Sequence, residues 1–321
     1  MRALQGVAIT VLSNCVLSKP VRDAAARLVQ SRAATLASLR AVLQQQASSQ
    51  GSSDDACALC SKVLDLLTNM ATDAATRQLL AADHLPLVRD IAELATASGG
   101  AQAAALGCLC NLALEPGVQR ALVSSSALRQ LLGLACAVTP AAGGGSVQVA
   151  THAAVAASRA AKQDVGAAAL QQAGALQLLV PALSGAVGHP ALHAWQDAAV
   201  RLVALVTAAA AAGQLGSCGE AGASSAAQAL LAVLPQPGLP DSVLGNACLS
   251  LGHIASQPDW LPMLHGLDAV APLLRVAHAG RGNVASKNAA IALAKLAKHP
   301  PMLQRLRDLH GLEIIYTYVR P

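Results

Sequence analysis

Two segments near the C-terminal end share one pattern: residues 246–255 read NACLSLGHIA and residues 288–297 read NAAIALAKLA. In both, apolar residues recur at three- and four-residue intervals, the spacing of one face of an α-helix. Each is followed three residues on by a proline, Pro258 and Pro300, which favours a helix boundary just before it. A second apolar helix start then appears as HGLD at 265–268 and HGLE at 310–313. The first elements lie 42 residues apart and the second 45, so a three-residue length change is expected to separate the two copies.

The same unit, an Ala/Leu helix followed by a small-residue turn and a second apolar helix, can be traced towards the N-terminus. ALGCLCNLA at 105–113 leads into SALRQLL at 126–132, and VLDLLTNMA at 63–71 leads into DHLPLV at 83–88. AITVLSNCV at 8–16 leads towards residues 33–43. Weaker copies are 153–161 followed by 173–179, and 198–206 followed by 226–234. Aligning Asn14, Asn69, Asn111, Arg159, Ala204, His253 and Lys295 gives steps of 55, 42, 48, 45, 49 and 42 residues. A period of about 40–47 residues belongs to two- and three-helix repeats that stack into solenoids.

Composition agrees with this reading. A chain of 321 residues exceeds one ordinary compact core, unless it is an open-ended array. Phe is absent, Trp and Tyr occur twice each, and the apolar content is Ala, Leu and Val, so helix formers are abundant and sheet formers scarce. Polar or Gly/Pro-rich stretches near 48–55, 140–147, 213–225 and 235–241 read as loops between helices. The repeat phase resumes after each, which predicts a single array over residues 1–321.

The Asn-Ala-x-x-x-Leu-x-x-Leu-Ala helix with its following Gly-Leu or Gly-Ala turn resembles the third helix of an armadillo repeat leading into the next repeat. The resemblance covers nearly the whole chain and implies an all-α, right-handed armadillo-like superhelical solenoid of about seven repeats. The chain opens on a third-helix pattern, so the first repeat is expected to be incomplete, as in a fragment. Residues 288–320 are also similar to the C-terminal end of tetratricopeptide-plus-armadillo proteins that assist cytoplasmic assembly of axonemal dynein arms, although no tetratricopeptide section is present here.

In such arrays the third helices line a concave groove, and the resemblance places Asn14, Asn69 and Asn111 on its floor. There an amide can donate to and accept from an extended peptide backbone. Arg159, His253 and Lys295 occupy the position in later repeats. No Trp lies one turn before these Asn residues, so the Asn-Trp ladder of nuclear-import adaptors is missing, and Arg159 and Lys295 would repel basic cargo. An acidic or mixed-charge protein segment, or a chaperone, is the expected partner.

The net charge of +5 is concentrated at the C-terminal end, where eight Lys and Arg from Arg275 onwards face only Asp308 and Glu313. Nucleic acid is not expected, because aromatics for base stacking are nearly absent. The positive mean hydropathy comes from Ala, and the uncharged stretch 165–196 is interrupted by Pro181 and Pro190, so no membrane span is expected. The eight Cys sit mostly in helical patterns as small apolar residues, as in a reducing cytoplasm. Cys57-x-x-Cys60 lacks a second ligand pair, His189 and His193 lack an intervening Glu and flank Pro190, and the Gly-rich stretches follow no strand. Trp195 and Trp260 read as packing residues.

No catalytic residue, cofactor, metal or small-molecule substrate is therefore expected. The sequence points to a cytoplasmic, non-enzymatic interaction scaffold, with dynein-arm assembly as its implied setting. Its alternatives are a structural spacer within a larger complex, or an enzyme with an unrecognised site.

Overall fold

The computed structural model of the chain describes residues 2–31, 33–48, 54–82, 85–139, 143–162, 164–212, 219–279 and 282–318. Residues 49–53, 140–142 and 213–218, which hold much of three sequence-assigned loops, lie outside this set, as do Asp83, His84, Cys218, Arg281 and Arg320. The described residues form α-helices and two short 3-10 turns, with no strand among them.

The first third-helix pattern is α1 (Arg2–Cys15), followed by three-helix groups. These are α2 (Lys19–Ser31), α3 (Ala33–Ser48) and α4 (Asp54–Met70), then α5 (Ala74–Ala82), α6 (Leu85–Thr96) and α7 (Gln102–Leu112). They continue with α8 (Pro116–Ser124), α9 (Ala127–Cys136) and α10 (Gly144–Ala160), then α11 (Asp164–Gln172), α12 (Ala175–Gly185) and α13 (His193–Ala211). The next group has only two helices among the described residues, α14 (Gly219–Val233) and α15 (Asp241–Ile254). Then come α16 (Leu261–Gly266), α17 (Val270–Ala279) and α18 (Val284–Leu296), and finally α19 (Pro300–Asp308) and α20 (Leu312–Tyr318). The seven third-helix patterns thus coincide with α1, α4, α7, α10, α13, α15 and α18.

The chain divides into two compact units, one of residues 1–134 and 148–166, the other of residues 135–147 and 167–321. In the first, α4 packs between α1 and α7, and α6 packs on α7 and on α3. In the second, α15 packs between α13 and α18, with α14 on α15 and α17 on α18. Small side chains permit this close stacking. On α10, Ala150, Ala153, Ala154, Ala156, Ala157 and Ala160 are all buried, and Leu106, Leu109 and Leu112 of α7 point into the core. Trp195 is fully buried and donates its Nε1 to Ala135 O at 2.7 Å, a packing residue as its sequence setting suggests.

Two expectations are corrected. Helices begin inside stretches read as loops, since α4 starts at Asp54, α10 at Gly144 and α14 at Gly219. Asp is a favoured residue of the first helical turn, and Gly and Ser there interrupt little of the intrahelical hydrogen-bond ladder. The HGLD and HGLE strings are also not structural equivalents. Leu267 N–H bonds Met263 O, Asp268 N–H bonds His265 O and Ala269 N–H bonds Leu264 O. The same three bonds recur at Leu309 to Arg305, His310 to Arg307 and Gly311 to Leu306, 42 residues on at every position. The copies differ by no insertion. What repeats is a left-handed residue closing the helix, Asp268 at φ 47° and His310 at φ 53°, where Gly174 at φ 76° does the same work in an earlier repeat.

These turns generate a pair of opposite expectations. His310→Gly removes the Cβ strain of a left-handed residue and raises stability by about 0.5–1 kcal/mol. At Gly166 a Cβ would stand 2.6 Å from Ala161 Cα and 2.7 Å from Ala160 O. Gly166→Ala therefore forces α11 away from the end of α10 and lowers stability by about 1–3 kcal/mol. Urea-unfolding midpoints of the two variants, read against the wild type, check both signs.

Candidate functional site: the third-helix ladder

Where a third helix ends, its last carbonyls lose their intrahelical partners. At the end of α1, Leu12 O accepts from Val16 N–H, Asn14 O from Leu17 N–H and Cys15 O from Ser18 N–H, and Ser13 O is passed over. The same position is passed over at Thr68 in α4, Cys110 in α7, Ser158 in α10, Gly252 in α15 and Ala294 in α18, each two residues before the helix end, and of these Gly252 O also accepts from Ser256 Oγ at 3.0 Å.

A side chain from the next third helix donates to four of these carbonyls, those of Ser13, Thr68, Cys110 and Gly252, whereas the residue aligned after Ser158 is Ala204, which has no side-chain donor. Asn69 Nδ2 donates to Ser13 O at 3.1 Å and to Ser13 Oγ at 2.9 Å. Asn111 Nδ2 donates to Thr68 O at 3.2 Å. Arg159 Nη1 donates to Cys110 O. In the other unit, Lys295 Nζ donates to Gly252 O at 2.9 Å and to Ser256 Oγ at 2.8 Å. The cationic rungs also meet the negative end of the helix dipole. Asn288 adds a second rung two turns earlier, donating Nδ2 to Gly245 O at 2.9 Å. It stands at the head of the repeated NA pattern, which was the sequence signal for it.

His253 departs from this rule because its neighbour does. The helix α13 runs on to Ala211 instead of ending after the aligned position, so His253 Nδ1 lies 3.4 Å from Thr207 Oγ1 and bonds the Ala204 backbone. Burial foremost, and the Lys295 charge second, hold this imidazole below its ordinary 6.5 against the Ala204 bond, which favours the charged form. Burial, assisted by Lys298, likewise lowers Lys295.

Of the six residues assigned to the groove, Asn69, Asn111 and Arg159 are thus linked rung by rung in the first unit, and His253 and Lys295 in the second. Asn14 is exposed, and its side chain makes no hydrogen bond among the described residues. It lines a cavity of about 240 Å³ with Thr10, Ser13, Lys62, Asp65, Thr68 and Asn69.

The other chemical motifs lie elsewhere. Burial pushes the Cys60 thiol up to about 11 and those of Cys108, Cys110, Cys136 and Cys248 to about 12, which keeps them protonated at neutral pH. His189 is exposed and precedes a 3-10 turn at Pro190–Leu192. Among the described residues no three His, Cys, Asp or Glu cluster as metal ligands do, and no helix is long and apolar enough to cross a membrane.

A rung that serves a helix C-terminus has a specific substitution order. Asn111→Ala costs about 1 kcal/mol, the isosteric Asn111→Asp costs a further ~0.5–1 kcal/mol because a carboxylate faces a negative helix end, and Asn111→Lys retains most of the stability. Equal stability of the Ala and Asp variants in chemical denaturation would rule out the capping role. His253 adds a pH dependence. Its native state binds protons less readily than the unfolded chain, so stability is full above about pH 6.5 and falls as pH drops below it. His253→Gln flattens that decline in unfolding curves recorded between about pH 7 and pH 5.

The fold is shared with solved armadillo-repeat structures. An engineered protein is similar over 100% of this chain and 71% of its own, at 19% identity and a TM-score of 0.73. A designed armadillo repeat protein in complex with the peptide (KR)4 is similar over 80% of this chain and 99% of its own, at 20% identity and a TM-score of 0.60. A chain from a structure concerning the interaction between cadherin and beta-catenin is similar over 84% of this chain and 50% of its own, at 18% identity and a TM-score of 0.62. No protein-family profile matches the sequence, and no curated protein is significantly similar to it. The structural likeness shows the fold, an all-α solenoid of armadillo type.

Proposed function

We propose that this chain is a non-enzymatic protein-interaction scaffold that holds an extended partner segment along its third-helix face. The observation that carries the reading is the half-exposed Asn69 and Asn111 on successive third helices, beside the exposed Asn14 and its cavity. Among the described residues Asn111 uses one N–H on Thr68 and leaves its amide oxygen unbonded, so it can accept from a peptide backbone without breaking its rung. The designed relative with this fold holds the basic peptide (KR)4. Here Arg159 and Lys295 stand on the corresponding helices, so the partner is an acidic or mixed-charge segment. The resemblance of residues 288–320 to the C-terminal end of tetratricopeptide-plus-armadillo dynein assembly factors, read from the sequence alone, is what suggests cytoplasmic dynein-arm assembly as the setting.

The internal use of every rung favours one competing reading, an array that stiffens and spaces parts of a larger complex. Pull-down from ciliated-cell cytosol separates the two, using the wild type and an Asn69→Ala/Asn111→Ala variant whose folding is verified by circular dichroism. Loss of captured proteins in the variant is expected. An unchanged set sinks the third-helix reading, and recovery of no partner by the wild type favours the spacer.

A further inference from the structure

A second cavity, of about 560 Å³, lies in the first unit and takes none of its lining from a third helix. Its floor is apolar, from Val88 and Ala92 of α6 and Leu122 of α8, all buried, and Leu85 at its edge is 47% exposed. Two exposed guanidinium groups, Arg89 on α6 and Arg120 on α8, also line it. Among the described residues neither Arg has an ion-pair or hydrogen-bond partner. The neighbouring carboxylates do not supply one. Asp90 is held by Arg40 at 2.7 Å, Glu115 by Arg77 at 2.7 Å, and Glu93, one turn along α6 from Arg89, makes no ion pair with it.

Two unpaired cations over an aliphatic floor are complementary to an anion carried beside an aliphatic side chain. No aromatic residue lines the cavity, so it offers no face on which a nucleic-acid base could stack. Guanidinium forks suit carboxylates in a bidentate geometry, and the exposed Leu85 edge suits Leu or Val. We propose that this cavity is a docking site for an acidic-aliphatic peptide segment, with its carboxylates on Arg89 and Arg120 and its aliphatic residue on the Leu85 edge. The site is independent of the third-helix face, and either can fail without the other.

Fluorescence anisotropy on the full chain tests it, with a fluorescein-labelled peptide Gly-Leu-Asp-Glu-Leu-Gly and a neutral counterpart in which Asn and Gln replace Asp and Glu. Wild type is expected to bind the acidic peptide at least roughly tenfold more tightly than the neutral one. An R89E/R120E variant, whose fold is checked by thermal melting, is expected to lose a similar factor, as is Leu85→Asp, whereas Asn69→Ala/Asn111→Ala binds the peptide as wild type does. Equal binding of the two peptides, unchanged affinity in R89E/R120E, no measurable binding to wild type, or displacement by an equal concentration of oligothymidylate overturns the proposal.

Discussion

Four junctions between successive third helices, α1 to α4, α4 to α7, α7 to α10 and α15 to α18, share one constraint, the carbonyl two residues before the end of the earlier helix. A helix that stops must leave backbone acceptors unpaired, and a buried unpaired carbonyl costs free energy comparable to a lost hydrogen bond. The 3-10-like closing bonds after α1, α4, α7 and α15 satisfy the flanking carbonyls and miss this one, which in α15 also accepts from Ser256 Oγ. The next repeat supplies the missing donor from Asn69, Asn111, Arg159 or Lys295. Termination of one helix and placement of the next are therefore a single event within each unit, and nearest-neighbour coupling of this kind is what stabilises a solenoid.

The α13 exception follows from the same constraint. Among the described residues this group lacks the short first helix found elsewhere, and α13 extends through Ala211. Its backbone near the aligned position is already bonded within the helix, so a strong terminal acceptor is absent. His253, a weaker and half-buried donor, suffices there beside Thr207 Oγ1. At Asn69, Asn111, Arg159 and Lys295 the ladder residue donates to the carbonyl that the preceding third helix leaves open, while Ala204, after α10, offers no donor.

Much of this architecture is legible in the sequence. The seven helical patterns around Asn14, Asn69, Asn111, Arg159, Ala204, His253 and Lys295 fall on the seven third helices, because apolar periodicity survives wide variation in side-chain size. Leu106, Leu109 and Leu112 are buried and Asn111 is turned away from them, as their spacing requires. The HGL strings misled, since local identity outweighed the hydrogen-bond register that aligns Asp268 with His310. Gly144 and Gly219 misled in the other direction, because a glycine that starts a helix looks in sequence like one that breaks it. Cys15, which the sequence places in the helical pattern at 8–16, is exposed, whereas Val16 beside it is buried.

The sequence by itself determined the all-helical class, the repeat period and the identity of the ladder positions, since each follows from intervals of three to 55 residues along one chain. Only the tertiary structure decided what the ladder residues do. A donor such as Asn111 finds its acceptor 43 residues away, on a carbonyl whose availability depends on how another helix ends. The same holds for Arg89 and Arg120, ordinary surface cations on separate helices until packing brings them to one apolar cavity. Hydrogen bonds and charge pairs of this kind are set by distances of a few ångströms in space, which no local pattern of apolar residues encodes.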